Sequence, residues 1–398
     1  MNLPSPRRLW RFVTRQLGLE KFLHAPGDGR PQPQIPAMAL YWSMLMGQLL
    51  RACSFLGVEA LVGSPARSAL KVSTSFGDDA LGYFTERLDA DSTRRAAAQV
   101  VGQAKRNKAF DDCAFIGLAI DGTTSGRCRE EGCSLCRPFR NHKQEIVGYR
   151  HHCVLISVVG TGLSLPFDLE PYGPGDCEYR AGQRLLRRAV ANLGARFADY
   201  VVVDGEFATA PFLHTADEAG LKIIARLKEN LPELLAAAEK RFRSQRRPKL
   251  VFWEGKDRVE IWDADDFDPW ETLRWETVRV IRYRQHKPDG EVIEAYWLTN
   301  FSSRRVGCRS LYRMAKSRWE IENQGFNDAK NRYGFRHMCH HEPNSLLLQW
   351  LITALALTIE RLYRLRYLHR GSHPIRSAME LVRLLWLSLG RPVQFDTG

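Results

Sequence analysis

The chain reads as an α/β protein: a mixed sheet flanked by helices, with a helical region ahead of it and a β-rich insertion within it. Three observations lead there. Two apolar runs, 115–121 and 200–204, each end on an aspartate. Between 111 and 227, strand-like alternation and helix-like spacing follow one another in a set order. Finally, the charge-crowded stretch Arg318-Trp319-Glu320-Ile321-Glu322-Asn323-Gln324-Gly325-Phe326-Asn327-Asp328-Ala329-Lys330 keeps a helical spacing. In chain order the pattern predicts strands over 115–121, 153–159 and 163–169, the last after a turn at Gly160-Thr161-Gly162. A helix over 179–192, a strand over 200–204, a helix over 209–219 and a strand over 222–227 follow. Three strands, a helix, a strand, a helix and a strand, closed later by the Arg318 helix, is the order of an RNase H-like core.

The flanks complete the domain plan. Residues 1–110 read as a helical N-terminal DNA-binding region. A basic arm leads into the linker Gly27-Asp28-Gly29-Arg30-Pro31-Gln32-Pro33, which cannot propagate a helix. Helical spacing then runs over 37–62 and 92–108, and Asp78-Asp79 are candidates to cap a short helix between them. Arg94, Arg95, Lys105 and Arg106 are its candidate DNA contacts. The core spans 111–227 and resumes with the catalytic helix at 311–345. Between lies the insertion, 228–310, with strands expected over 249–253, 258–262, 276–284 and 291–298. The last region, 346–398, is helical and basic through Arg361, Arg364, Arg366 and Arg370.

Composition narrows the function. Lys and Arg number 58 against 45 Asp and Glu, and the resulting charge of +13 favours phosphate-rich partners over acidic small molecules. Nine cysteines are an odd count for a disulfide scaffold, and Arg7, Arg8, Arg11 and Arg15 break up any secretory apolar stretch near Met1. A reducing, cytoplasmic compartment is expected. The longest apolar stretch, 346–359, carries Gln349 and Thr353 and falls short of the ~20 residues a bilayer requires. It is expected to be a buried helix rather than a membrane span. No glycine fingerprint follows a strand, which removes nucleotide-binding α/β folds.

The chemistry concentrates on carboxylates. Asp121 and Asp204 end neighbouring-type strands, and Glu322 projects from a helix laid on the sheet. Arg318 and Glu322 are four apart and Lys330 lies eight beyond Glu322, so the three share roughly one face, with Trp319 and Phe326 on another. As a mere exposed i,i+4 pair, Arg318 and Glu322 would contribute only ~0.3–0.5 kcal/mol. Three clustered carboxylates repel, roughly 4 kcal/mol per pair at ~4 Å in an effective dielectric of ~20, so they call for cations. Oxygen-only ligands suit Mg²⁺ or Mn²⁺, and two such ions can activate a water or a 3′-hydroxyl at a phosphodiester. Arg318 would hold a phosphate bidentately and Lys330 would add a point charge.

Ile120-Asp121-Gly122-Thr123, Val203-Asp204-Gly205-Glu206-Phe207 and Arg318-Trp319-Glu320-Ile321-Glu322-Asn323 resemble the DDE transposases of bacterial insertion sequences, in the branch with a β-rich insertion between the second Asp and the Glu. The resemblance runs from about Phe76 to the Lys330 region. It implies metal-dependent cleavage at transposon ends and strand transfer into target DNA. Asp121, Asp204 and Glu322 would be the metal ligands and Arg318 would sit on a terminal phosphate, within a homodimeric synaptic complex. Two positions depart from the family pattern: Ala315 stands where a Tyr is common and Ala329 where a Lys is common. Tyr312 and Lys330 are the nearest substitutes, and with Trp319 they complete the expected DNA-contacting set. A nuclease of the same fold without strand transfer, and a catalytically dead DNA-binding descendant, are the alternatives.

A second constellation, Cys128-Arg129-Glu130-Glu131-Gly132-Cys133-Ser134-Leu135-Cys136, begins shortly after Asp121. The C-x2-C turn can present two thiolates to Zn²⁺, with Cys128 and His151 as further candidate ligands. The other reading is free thiols in a loop. His337, Cys339, His340 and His341 are a weaker candidate metal group, since they follow the catalytic helix, where histidine is simply tolerated.

Overall fold

The computed structural model describes residues 4–365, 375 and 377–390. Ten strands form one sheet: β1 Gly117–Cys128, β2 Arg137–Arg140, β3 Ile146–Val159, β4 Leu165–Tyr172, β5 Tyr200–Val203, β6 Lys222–Leu227, β7 Leu250–Glu254, β8 Asp257–Phe267, β9 Val278–His286 and β10 Val292–Thr299. The order is β2-β3-β1-β5-β6-β10-β9-β8-β7, with β4 also on β3. The five core strands thus run β4-β3-β1-β5-β6, the first three antiparallel and β1, β5 and β6 parallel. This is the RNase H-like arrangement. β5 is buried throughout and reads as an uninterrupted apolar run, as expected of a parallel strand covered on both faces.

The insertion extends this sheet rather than standing beside it. β10 pairs antiparallel with β6 from Tyr296↔Leu227 to Thr299↔Ile224, and β9, β8 and β7 add outward as a meander. A helix at Pro232–Ser244, not expected from the sequence, precedes them. Pro232 opens it, and Leu234, Ala238 and Phe242, spaced four apart, are its buried face. β2 was likewise not expected. β1 runs seven residues beyond Asp121 because β3 pairs with it through Ser125↔His151, although Thr123-Thr124-Ser125-Gly126 carries little strand signal.

Residues ahead of the sheet share its core. Leu9, Phe12, Val13, Leu17, Leu19 and Leu23 are buried in the segment expected to be an arm, and the ring of Phe12 packs 5.0 Å from that of Tyr363. The linker is also ordered: Asp28 bridges to Leu88, and Arg30 pairs with Asp28 at 2.8 Å. The 37–62 helix is two, Ala37–Leu50 and Phe55–Val62, split where Arg51 turns left-handed at φ 64. Asp78 and Asp79 occupy the first turn of helix Asp78–Arg87, where they favour the helix dipole, but Gly77 holds the cap position.

Helix Pro343–Tyr363 is long and apolar enough to cross a membrane, yet 94% of its apolar window is buried. It lies under β4 and helices 37–50 and 90–106. Arg361 on it is 2% exposed, so it is not part of a basic surface. Its guanidinium donates to the carbonyls of Ser164 and Gln324 (2.6 Å to the latter) and to Asp328 at 2.8 Å. Arg364 bonds Glu360, and Arg366 and Arg370 fall outside the described residues.

Candidate active site

Register alone places two of the carboxylates side by side. Parallel pairing of β1 and β5 ends at Ile120↔Val203, and the next residues are Asp121 and Asp204. Adjacent strands lie ~4.8 Å apart, so the two side chains emerge at neighbouring points on the carboxyl ends of parallel strands. The third comes from above. Helical geometry begins again at Arg318 after Ser317, whose hydroxyl and that of Tyr200 bond at 2.9 Å. The Arg318 guanidinium then lies between Asp121 (3.1 Å) and both carboxylate oxygens of Glu322 (3.3 Å each).

Electrostatics follow from that crowding. Burial pushes the Asp121 carboxyl up to about 7; Arg318 opposes the shift, and Glu322 and Glu178 add to it. Burial also acts to raise Asp204, but the Lys228 ammonium at 2.7 Å, the Gly205 N–H and Arg318 outweigh it and hold the carboxyl below its usual range. Lys228 comes from the third parallel strand end. Val203 pairs with Ala225, so Arg226 and Lys228, two apart on one face, meet the acidic pair from β6.

Glu178, which the sequence did not single out, is a fourth carboxylate here. It opens helix Glu178–Leu193, accepts from the Tyr172 hydroxyl at 3.1 Å, and lies against Gly122 so closely that a Cβ there would come within 2.2 Å of its carboxyl carbon. Burial raises it; the Tyr172 hydroxyl opposes this, while Glu206 and Asp204 add to it. An acid in the first turn of the helix after β4 was the available signal, and by itself it marks only a helix start. Gly122 owes its place to this contact: a side chain there would expel Glu178.

Within the catalytic helix the choice between two glutamates is geometric. Glu320 turns away from the acidic cluster and accepts the Gly160 N–H at 3.0 Å, and burial, opposed by the Gly160 and Gly162 N–H groups, raises its carboxyl to about 7. Between Ile321 and Phe326 the helix takes a π turn, the Asn327 N–H reaching back five residues to Glu322. One extra residue is thereby absorbed. Lys330, eight beyond Glu322, occupies the angular position of a residue seven beyond in a regular helix, close to the Glu322 face. Burial lowers Lys330, Arg336 lowers it further, and Cys153 and Asp121 act to raise it; its ammonium lies 5.6 Å from the centre of the Phe326 ring.

Other expected contacts lie elsewhere. Tyr312 is fully buried, ring-packed on Phe252 and Tyr283, and donates to Glu254 at 2.9 Å; it fastens the insertion to the core and presents no hydroxyl to DNA. Trp319 is half-buried against the core, 5.9 Å from the Lys316 ammonium. Arg94 is buried and paired with Asp91, Asp168 and Glu170, and Lys105 donates to the carbonyls of Arg196 and Phe197. Both serve the fold. Arg95 pairs with Asp89 and Arg106 bonds Gln103, each at the surface.

The cysteine cluster is assembled in space. The Cys133 and Cys136 sulfurs are 3.8 Å apart and lie 3.2 and 3.4 Å from His151 Nε2. Cys128, Cys136, His151 and His341 each offer a ligand atom within 4.8 Å of the others. His341, from the weaker candidate group after the helix, is therefore part of it. All nine cysteines are free thiols.

A family model described as the transposase DDE domain matches residues 114–359, which is more than half of the chain. The chain belongs to the DDE transposase family. The match begins just ahead of β1 and ends within helix 343–363, so it contains Asp121, Glu178, Asp204, Glu320 and Glu322. No curated protein matches the chain. Among solved structures, a piggyBac transposase synaptic complex with hairpin DNA aligns at 12% identity and a TM-score of 0.46, over 98% of this chain and 82% of that one.

Proposed function

We propose that this DDE transposase binds the inverted-repeat ends of its own element and, with Mg²⁺ or Mn²⁺ held by Asp121, Asp204 and Glu322, cleaves there and joins the 3′ ends to target DNA. The observation that carries this reading is the convergence of three carboxylates from β1, β5 and the Arg318 helix at the carboxyl ends of parallel strands. The donor set fits a hard divalent cation: it is all oxygen, and a cation would offset the burial and, to a lesser extent, the carboxylate repulsion that raise Asp121. Bound there, the metal would activate the attacking hydroxyl and stabilise the leaving oxygen.

The chain's own residues supply the remainder. Arg318, fixed between Asp121 and Glu322, is positioned to trade a carboxylate for a phosphate oxygen as DNA enters, since its fork fits either. Lys228 keeps Asp204 ionised and so ready to ligate. Lys330 adds a positive charge on the Glu322 side, and Glu178 orients and backs the metal-holding set beside Asp121. Cleaving two ends and joining them to one target calls for two copies, hence a homodimer on DNA.

The test uses the full chain and duplex DNA carrying its element's terminal repeats. Asp121→Asn, Asp204→Asn and Glu322→Gln should each abolish cutting, a loss of at least ~100-fold, while binding stays within a few-fold. Cutting without joining would mark a nuclease, and binding without cutting in either Mg²⁺ or Mn²⁺ a dead descendant. Normal cutting by Glu322→Gln would refute the assignment.

A further inference from the structure

Cys133, Cys136 and His151 lie outside the carboxylate site and have the spacing of three corners of a metal's ligand shell. A tetrahedron with Zn–S of ~2.3 Å and Zn–N of ~2.0–2.1 Å has edges of ~3.8 Å between sulfurs and ~3.5 Å between sulfur and nitrogen. The Cys133–Cys136 distance of 3.8 Å and the sulfur-to-His151 distances of 3.2 and 3.4 Å match three such edges. Three donors on three edges leave one corner. Two further side chains, Cys128 and His341, have ligand atoms within 4.8 Å of those of both Cys136 and His151. Cys128 already has a sulfur neighbour, Met338 Sδ at 3.8 Å, whereas the His341 ring lies directly against Gly132, where a Cβ would come within 2.6 Å of its Nδ1. Gly132 immediately precedes Cys133, so its lack of a side chain is what admits His341 beside the knuckle.

We propose that Cys133, Cys136, His151 and His341 bind one Zn²⁺, and that this ion clasps the segment following the catalytic helix to the far end of the first catalytic strand. Cys133 and Cys136 stand in the loop that leaves β1, and His151 is on β3 paired with Ser125 of β1. His341 arrives from the other side of the molecule in sequence, nine residues beyond the helix end at Arg332. Two weaker stitches run along the same seam: Ser125 Oγ donates to the Phe335 carbonyl, and Gly126 lies against Met338. Thiolate and imidazole ligands select zinc over the oxygen-seeking ions of the carboxylate site, so the two metals do not compete. Binding releases the thiol protons and closes a loop of nearly two hundred residues between His151 and His341.

Elemental analysis of the full chain, purified without a metal-binding tag, should give about one zinc per chain. His341→Ala should lose most of it and Cys128→Ser should keep it. Co²⁺ substitution reads the ligand set independently: two thiolates give about two-thirds of the sulfur-to-cobalt absorption of three. Stripping zinc from the unmutated chain with a thiol reagent and chelator should raise hydrogen exchange in 333–341 and in the catalytic helix, so the proposal does not hinge on whether a variant folds. Zinc near zero with a Cys133–Cys136 disulfide would overturn the site. Full zinc in His341→Ala with loss in Cys128→Ser would overturn the clasp, leaving a local three-thiolate knuckle. Neither result bears on whether Asp121, Asp204 and Glu322 cut DNA.

Discussion

Single side chains at this site act through charge placed beside charge. Glu178 is the clearest case. Glu178→Gln keeps the shape and the Tyr172 contact but removes a negative charge near Asp121, and should raise the Mg²⁺ concentration for half-maximal cutting by ~10–100-fold, as loss of an outer-shell partner does elsewhere. A Mg²⁺ titration of cutting would show it, and an unchanged midpoint would reduce Glu178 to a packing residue. Glu320 makes a different prediction. Its folded carboxyl titrates near 7, above the ordinary value of 4.5, so its contribution to stability is fully present below about pH 4.5 and is lost as pH rises through 7. In metal-free protein, Glu320→Gln should match the parent at pH 5 and exceed it at pH 8 by on the order of 1–2 kcal/mol after allowance for screening, while still cutting DNA. Urea unfolding at three pH values measures this. Of the three proposed metal ligands, Asp121 and Asp204 stand out in the sequence because each closes an apolar run, and Glu322 because it lies in a charge-crowded stretch of helical spacing. Glu178, Lys228 and His341 do not, since their partners lie on other elements and no spacing rule connects them.

At the level of elements, the π turn in the catalytic helix explains a departure from the family pattern. With Lys330 one residue late, a regular helix would swing it ~80° from Glu322; the five-residue bond at Asn327 takes up the difference. Arg361 supports the distortion by donating to the Gln324 carbonyl inside that turn. Deleting Asn323, which is exposed, should therefore regularise the helix and keep the lysine in place. Circular dichroism and melting should show a fold at least as stable, with cutting kept within ~10-fold, because π turns are strained relative to α. Loss of all cutting in a folded deletion protein would show that the π turn itself is required. No periodicity in the sequence signals such a turn. The core strands were legible for the opposite reason: β5 is a short apolar run buried on both faces and β6 carries the apolar stretch Ile223-Ile224-Ala225, whereas the outer half of β1 is polar and is a strand only because β3 pairs with it.

For the molecule as a whole, residues 1–110 contribute to the same buried cluster as the sheet. Removing residues 1–110 would strip Leu40, Leu45, Phe84 and Val101 from the buried cluster, so such a truncation would aggregate rather than report on DNA reading. Charge reversal is the informative experiment. Arg7, Arg11, Arg15 and Lys71 are exposed and line one polar recess with Trp10 and Glu20, which makes them a better candidate for phosphate binding than the buried Arg94 or the half-buried Lys105, whose ammonium already serves two carbonyls. Arg7→Glu with Arg11→Glu and Arg15→Glu should weaken duplex binding and flatten its log–log salt dependence by about 2–3, at ~0.9 for each phosphate that is no longer neutralised. Fluorescence anisotropy across a salt series measures the slope, and an unaltered slope would move the DNA-binding surface elsewhere.

The pairing of β10 with β6 has one more consequence. The chain leaves β6 at Leu227, builds three strands and a helix, and re-enters the sheet at β10, with Tyr296 beside the residue it left from. In topological terms everything between is the loop of one oversized hairpin. A segment connected that way can be acquired, enlarged or shed by a lineage without re-threading the catalytic strands, because its two attachment points are already neighbours. Lys228 and Glu254 are the threads such an exchange would cut, the first releasing Asp204 and the second releasing Tyr312 and Lys316. Exchange of the insertion would thus reach the proposed active site through its first residue, Lys228.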